Sequence, residues 1–240
     1  METYRALIVF DSGLRALLPT WRRQLDAVPL EFKGSPAIKH VVESLGVPHT
    51  EVGSLRVSGL PAALGDHLRA GDEVEVAGVE AGMGLFNGRG EPSFIADNHL
   101  GRLAAYLRML GFNTLYRNDY QDAELAAVAH QEERILLTRD RRLLMRREVA
   151  YGCCLRSLDS RDQLGEVVAR YALGKTSRPF QRCLRCNHEL EDVEKTQVLD
   201  RLQPLTRRYF EEFARCPACD QVYWKGSHYD RMLELIRQVH

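Results

Sequence analysis

Short apolar runs that end at an acidic residue recur along the middle of the chain. Phe94–Ala96 leads into Asp97, and Ile135–Arg139 leads into Asp140. Apolar residues spaced three and four positions apart follow each aspartate, which is the pattern of an amphipathic helix. Strands that alternate with helices of this length predict a parallel sheet with helices packed on its faces. We therefore expect an α/β domain over residues 93–175.

The same pattern continues through two further strands and two further helices. Thr114–Tyr116 and Tyr151–Leu155 are the remaining strand candidates. Asp119 and Asp122 flank the start of one helix, and Asp159 precedes the last. Ligands of parallel sheets bind beyond the carboxyl ends of the strands. These aspartates are therefore expected to converge on one edge of the sheet.

A cluster of carboxylates at such an edge has a specific chemistry. The charges repel one another unless a cation neutralises them. Mg²⁺ and Mn²⁺ prefer oxygen ligands, and two such ions about 4 Å apart can activate water and stabilise a phosphate leaving group. The pattern therefore predicts metal-dependent cleavage of a phosphodiester. The candidate catalytic residues are Asp97, Asp119, Asp122, Asp140 and Asp159.

Each of these aspartates also has a purely structural explanation. All of them lie where a helix N-cap is expected, and aspartate is among the best N-caps. Ser160 with Gln163 fits a capping box, which weakens the catalytic case for Asp159. Arg102 and Arg139 are candidate substrate-binding residues that can contact a phosphate, or they are ordinary surface arginines.

The first 85 residues combine short strands with a single helix. Ser35 is the expected N-cap of that helix, Pro36 its first residue, and Gly46 its end. Such a pattern suits a small α+β sheet with a helix across one face. It resembles the ubiquitin-like β-grasp fold and, through Leu68–Val74, its sulfur-carrier branch. Sulfur carriers act through a terminal diglycine, whereas this chain continues, so a binding or packing module is the alternative. The glycine-rich residues 77–92 predict a linker.

Two C-x-x-C pairs mark a third unit over residues 176–240. Cys183 and Cys186 form the first pair, and Cys216 and Cys219 form the second. Four thiolates complete the tetrahedral shell of a structural Zn²⁺ ion, with a redox role for the pairs as the alternative. The apolar residues between the pairs are expected to form helical packing on the second domain. They are Leu199, Leu202, Leu205, Tyr209, Phe210 and Phe213.

Aromatic and basic residues interleave directly after the second pair. Gln221–Tyr229 suits stacking on nucleotides, or equally a ribbon strand that packs its aromatic residues on a core. Asp230–Val239 is predicted to be a short amphipathic helix. Cys153 and Cys154 lie together in a predicted strand and are interpreted as buried small apolar residues.

Overall composition narrows the remaining classes. The 240 residues are 45% hydrophobic and 28% charged, with a formal net charge of zero. There is no global positive field to attract nucleic acid, no run long enough to cross a membrane, and no secretory signal. We therefore expect a cytoplasmic protein without a membrane partner.

Four segments together resemble the Mut-seven C-terminal RNase family. They are FIADNHLGRLAAYLRMLGF, RILLTRDRRLL, RCLRCNHEL and the C-P-x-C motif followed by VYWKGSHY. The resemblance covers essentially the whole chain. It implies a ubiquitin-like domain, a PIN-like nuclease domain with a zinc ribbon, and metal-dependent ribonuclease activity on RNA.

By position, the resemblance assigns individual acids. Asp97 matches the first acid of PIN-type nucleases and Asp140 the acid after the third strand, so both would hold Mg²⁺ or Mn²⁺. Asp122 or Asp119 is the intermediate acid, and Asp159 falls at a variable position. Two other functions remain open: an inactive RNA- or ribosome-binding adaptor, and a sulfur-carrier-like accessory with a protein partner on the N-terminal domain.

Overall fold

The computed structural model describes residues 2–84, 86 and 90–239. Over that part of the chain it contains a five-stranded, a four-stranded and a three-stranded sheet. No helix in these ranges combines the length and apolar character needed to span a bilayer. The fold is therefore mixed α/β, as the sequence pattern predicts.

The N-terminal sheet has the order β2-β1-β5-β3-β4. Strands β1 and β5 run parallel at its centre, and the other neighbours are antiparallel. This topology, with one longer helix, is the ubiquitin-like β-grasp expected from the sequence. The strands are β1 (Thr3–Phe10), β2 (Val28–Lys33), β3 (Val52–Val57), β4 (Leu60–Pro61) and β5 (Glu73–Gly78). The helices are α1 (Ser12–Arg15), α2 (Ile38–Ser44) and 3₁₀ turns at Thr20–Arg22 and His49–Glu51.

The predicted N-cap of α2 is wrong. The N-cap is Ala37, and the Ser35 hydroxyl donates to the carbonyl of Leu68 (3.0 Å). The backbone before α2 stays extended because Ala37 forms a β-bridge with His67. Gly46 ends the helix as expected, in the left-handed region that favours glycine (φ 101°).

The second sheet is fully parallel and has the order β7-β6-β8-β9. Its strands are β6 (Phe94–Ala96), β7 (Thr114–Tyr116), β8 (Ile135–Thr138) and β9 (Gly152–Cys154). Its helices are α3 (Gly101–Met109), α4 (Asp122–Gln131), α5 (Arg141–Leu144) and α6 (Ser160–Tyr171), followed by a 3₁₀ turn at Leu173–Lys175. Strands β6 and β8, which precede Asp97 and Asp140, are direct neighbours.

The third sheet is antiparallel with the order β10-β11-β12. It comprises β10 (Glu191–Val193), β11 (Phe213–Arg215) and β12 (Val222–Trp224). Helix α7 (Pro204–Tyr209) and 3₁₀ turns at Lys195–Gln197 and Leu199–Arg201 lie between β10 and β11, and α8 (Ser227–Val239) follows β12.

The segment between the cysteine pairs does not pack on the second domain as predicted. Leu202 and Phe213 instead form a small separate core with Val198 and Val222. Leu205 is 70% exposed, since α7 faces solvent on that side. Helix α8 does reach the second domain, where it buries Leu235 and Ile236 in the core beside α3 and α6.

One face of the parallel sheet shares its core with the β-grasp domain. Leu17 and Val47 of the first domain belong to the same buried cluster as Leu136 and Leu144 of the second. Part of the predicted linker is also held in place, because Gly82 N and Gly84 N donate to carbonyls of α6. Residues 85 and 87–89 of the linker lie outside the described residues. The domain boundaries expected after residues 85 and 175 stay predictions.

Candidate active site and cysteine cluster

Three of the predicted acids line one cleft at the carboxyl ends of the parallel strands. Asp97, Asp122 and Asp140 surround a volume of about 600 Å³ together with Arg139 and Arg142. Asp97 and Asp140 meet because β6 and β8 are hydrogen-bonded neighbours. Asp122 joins them as the first residue of α4.

A buried threonine connects two of these acids. The Thr138 hydroxyl donates to Asp97 Oδ2 (2.6 Å), and the Asp140 backbone N–H donates to Thr138 Oγ1 (2.9 Å). The backbone N–H of Asn98 donates to the other carboxylate oxygen of Asp97 (2.6 Å). Sequence reasoning missed Thr138. The signal was a hydroxyl residue at the last position of β8, two residues before Asp140.

Capping and cleft formation coincide at Asp140. Its Oδ1 accepts from the Arg142 backbone N–H (2.7 Å), which makes Asp140 the N-cap of α5. The capping explanation is wrong for two other cleft acids. Leu100 is the N-cap of α3 and Gln121 that of α4, so neither Asp97 nor Asp122 caps a helix.

Asp119 lies outside the cleft. It accepts two hydrogen bonds from the Arg117 guanidinium (2.9 and 3.0 Å) at the surface. The hydrogen bonds from Arg117 lower the pKa of Asp119. Of the two candidates for the intermediate acid, Asp122 is thus the one that lines the cleft.

Asp159 and Arg102 also lie elsewhere. Asp159 is the N-cap of α6 and accepts from the Arg161 backbone N–H (2.7 Å). The predicted capping box is wrong, because Gln163 donates to the Ser157 carbonyl (3.0 Å) and Asp159 itself provides the cap. Arg102 lines a different groove, whereas Arg139 lines the acidic cleft.

The oxygen atoms that line the cleft suit a hard divalent cation as ligands. Asn98 lines the cleft, and its side-chain Oδ1 is buried without a hydrogen-bond partner among the described residues. Amide and carboxylate oxygens are the ligands that Mg²⁺ and Mn²⁺ prefer. The carboxylate oxygens of the three aspartates do not all lie within 4.8 Å of one another, however. Histidine, cysteine, aspartate and glutamate side chains carry the common metal-ligand atoms. Within the described ranges, only the ligand atoms of the four cysteines form a set of three or more that all lie within 4.8 Å of one another.

The four cysteines of the C-x-x-C pairs meet as predicted. Cys183 Sγ lies 3.5 Å from Cys219 Sγ, and Cys186 Sγ lies 3.3 Å from Cys216 Sγ. These separations exceed a disulfide bond and are close to the roughly 3.8 Å expected between thiolates that bind one tetrahedral ion at about 2.3 Å. The cluster can therefore hold a metal such as zinc.

Neighbouring groups stabilise a thiolate in this cluster. Burial disfavours the Cys183 thiolate, but the Tyr223 hydroxyl, 3.2 Å from its sulfur, and the backbone of Arg185 and Cys186 outweigh burial and lower the pKa of Cys183. A low thiol pKa favours metal binding at Cys183, since the thiolate is the ligand, whereas burial raises the pKa of Cys186 and of Cys219.

Two polar side chains attach the cysteine unit to the parallel-sheet domain. The buried Arg108 guanidinium of α3 donates to the carbonyls of Thr114, Leu184 and Arg185. Asn187 accepts from the Thr114 backbone N–H (2.9 Å). The remaining cysteines, Cys153 and Cys154, are buried in β9, and burial raises the pKa of Cys153 to about 12.

The fold and the site define an α/β protein with an acidic cleft, a four-cysteine unit and a preceding ubiquitin-like domain. The family described as Mut7-C RNAse domain matches residues 92–236, and the Mut7-C ubiquitin family matches residues 4–83. The chain belongs to the Mut7-C RNase family, which confirms the resemblance seen in the sequence. No curated protein and no solved structure shows a significant match. Membership of this family supports a nuclease-type function.

Proposed function

We propose that the protein is a divalent-metal-dependent ribonuclease that hydrolyses RNA phosphodiesters in the acidic cleft. The observation that carries the proposal is the convergence of Asp97, Asp122 and Asp140 on one cleft beside Arg139 and Arg142. The match to an RNase-domain family supports the choice of RNA as substrate.

Asp97 and Asp140 would hold the Mg²⁺ or Mn²⁺ ion, with the unpartnered Asn98 Oδ1 as a further oxygen ligand. Such an ion supplies Lewis acidity that stabilises negative charge on the phosphate. Thr138 keeps the Asp97 carboxylate oriented toward the cleft through its 2.6 Å hydrogen bond. Because the three carboxylates are not all within 4.8 Å of one another, we assign Asp122 a role separate from direct metal binding.

In that role, Asp122 accepts a proton from the attacking water. The water oxygen forms a bond to phosphorus, the bond from phosphorus to the leaving oxygen breaks, and the leaving oxygen takes a proton from solvent. Arg139 and Arg142 bind the phosphate oxygens and offset their charge as it grows.

For the cysteine cluster, we propose a structural Zn²⁺ ion. Four thiolates fill a tetrahedral shell and leave no position for substrate. The ion would fix the turns that carry both C-x-x-C pairs, and it has no part in the cleavage step.

The nuclease proposal is tested by cleavage of single-stranded RNA with Mn²⁺ or Mg²⁺. Asp97→Asn and Asp140→Asn are each expected to lower the rate about a hundredfold or more. Asp119→Asn and Asp159→Asn are the matched controls, and both should cut at the wild-type rate. Asparagine is also a good N-cap, so the Asp159 control keeps α6 intact. The proposal fails if the wild-type protein cuts no RNA with either metal, or if the cleft variants cut as well as the controls.

An inactive RNA-binding adaptor is the second candidate. The spread of the three carboxylates favours it, since one ion does not reach them all directly. The adaptor would bind RNA without cutting it under any metal condition.

The sulfur-carrier-like accessory has less support. Sulfur carriers need a free terminal tail, whereas Val79 N donates to Glu51 O and Gly82 N and Gly84 N donate to α6. A protein partner for the N-terminal domain stays a proposal. It can be tested by a pull-down in which the full-length protein is immobilised through its C-terminal end, so that residues 1–85 stay accessible.

A further inference from the structure

A second groove lies beside the acidic cleft, between α3, the start of α6, α8 and strand β12. Its volume is about 720 Å³. The exposed side chains of Arg102, Arg161 and Arg231 line it, from three different helices. Three elements distant in sequence thus contribute positive charge to one surface.

The positive charge of this groove is not balanced locally. Among the described residues, no aspartate or glutamate lines it. The three guanidinium groups also have no ion pair or side-chain hydrogen bond within the described part of the chain. Some other arginines of the chain are paired, such as Arg117 with Asp119 and Arg182 with Glu189. A groove with unpaired guanidinium groups is complementary to a polyanion.

Aromatic side chains interleave with these arginines. Tyr106 of α3 and Trp224 at the end of β12 line the groove, and Trp224 is 40% exposed. Exposed aromatic rings beside a basic track are how proteins bind unpaired bases of single-stranded nucleic acid. An acidic peptide would use the arginines but has no planar bases to stack on the rings.

Helix α3 connects this groove to the acidic cleft. Asn98, His99 and Leu100 before its first turn line the cleft, and Arg102 and Tyr106 on the helix line the groove. Leu100 and Arg102 are two residues apart at the start of α3, so the groove and the cleft adjoin along the chain at this point. An RNA strand bound in the groove reaches the cleft by passing around the first turn of α3, because residues two apart on a helix point to different sides.

We propose that this groove binds a single-stranded segment of the RNA substrate next to the scissile phosphate. Arg102, Arg161 and Arg231 contact phosphates, and Trp224 and Tyr106 stack on bases. This assignment rests on the proposed function only for the statement that the bound RNA is the substrate. Binding itself does not depend on cleavage.

The test uses the full-length Asp97→Asn protein with no divalent metal added and a fluorescein-labelled, uridine-rich RNA. Fluorescence anisotropy gives Kd over a range of salt concentrations. Arg102→Ala/Arg161→Ala should reduce the slope of log K against log salt by about 1.4 and weaken binding about 25-fold at 0.1 M salt, for two lost phosphate contacts. Lys33→Ala/Arg69→Ala removes the same charge from exposed positions of the β-grasp domain and should leave Kd within about twofold.

Stacking is tested separately with Trp224→Leu, which keeps a large apolar side chain in β12. Binding should weaken about tenfold with the salt slope unchanged, since no charge is lost. RNA carrying 5-iodouridine should crosslink to the peptide that contains Trp224. Crosslinks confined to other elements would overturn the assignment.

The outcomes separate this proposal from the nuclease proposal. If the groove variant binds RNA as tightly as its parent, the groove assignment is wrong, and wild-type cleavage would still stand. If the wild-type protein cuts no RNA but the groove variant loses binding, the groove assignment stands and the nuclease proposal falls. Displacement of the RNA by polyglutamate as efficiently as by unlabelled RNA would mark a general polyanion site and overturn the RNA assignment.

Discussion

At the scale of single residues, the candidate site depends on a few side chains with two functions. Asp140 caps α5 and also lines the cleft. Thr138 donates to one acid and accepts from the backbone of the other. Because it is fully buried, its hydroxyl has no water to replace either partner. Removal of this hydroxyl should therefore affect both stability and the orientation of Asp97.

Thr138→Val removes the hydroxyl and keeps the shape of the side chain. The Asp140 backbone N–H and one Asp97 oxygen then lose their partner, which should lower the free energy of unfolding by about 1–3 kcal/mol. RNA cleavage should fall as well, because the Asp97 carboxylate is free to rotate. Urea denaturation and the RNA cleavage assay measure the two effects.

Thr138→Ser is the control for this substitution. It retains the hydroxyl and should keep most of the activity, even though it loses a buried methyl group. Equal cleavage rates for the valine variant and the wild type would contradict the positioning role of Thr138.

At the scale of elements, the parallel sheet and the cysteine unit meet through polar contacts. Arg108 of α3 reaches the first C-x-x-C turn, and Asn187 after that turn bonds to β7. Burial lowers the pKa of Arg108, and the nearby Cys183 and Cys186 side chains oppose that shift. The cysteine unit is therefore coupled to α3, the helix that begins next to the acidic cleft and lines the groove of Arg102 and Tyr106.

Cys216→Ser tests the metal in this unit. The wild-type protein should contain about one zinc per chain, and the variant much less, since a serine hydroxyl is a poor ligand for zinc. Loss of the ion should expose residues 176–240 to limited proteolysis. Metal analysis and mass spectrometry of the fragments give the two readouts.

Cys153→Ser serves as the matched control, because Cys153 is buried in β9 and is not one of the four clustered cysteines. Its zinc content should equal that of the wild type. An unchanged zinc content in Cys216→Ser, or none in the wild type, would contradict the zinc assignment.

At the scale of the whole molecule, the β-grasp domain supports the helix that begins after Asp140. Arg141 of α5 donates to the carbonyls of Leu17 and Gly46 in the first domain. Glu51 strengthens the same interface: its carboxylate is 3% exposed and accepts from Cys154 N (2.8 Å), Arg156 and Arg170. The two domains therefore share both a core and a buried ion-pair network.

Glu51→Gln should lower the free energy of unfolding by about 3 kcal/mol, because Arg170 is left buried without its counter-charge. Glu31→Gln removes a carboxylate from the exposed pair with Arg5 and should cost about 1 kcal/mol or less. Thermal or urea unfolding compares the two variants. Similar losses for both would show that the Glu51 network adds little to the interface.

The sequence by itself determined those features that depend on a short window of chain. The strands before Asp97 and Asp140 and the spacing of the cysteine pairs follow from local periodicity and ligand chemistry. These features were predictable because they involve neighbours along the chain. The ubiquitin-like and RNase-domain segments could be recognised for the same reason, from motifs that are contiguous in sequence.

Only the tertiary structure decided which residues share a site. Strand order made β6 and β8 neighbours and so brought Asp97 to Asp140, whereas Asp159 stayed at the start of α6. Asp119 pairs with Arg117 at the surface outside the cleft, and α3 places Arg102 in the second groove. Each outcome depends on contacts between segments far apart in the chain, and local patterns of hydrophobic and polar residues carry no information about such contacts.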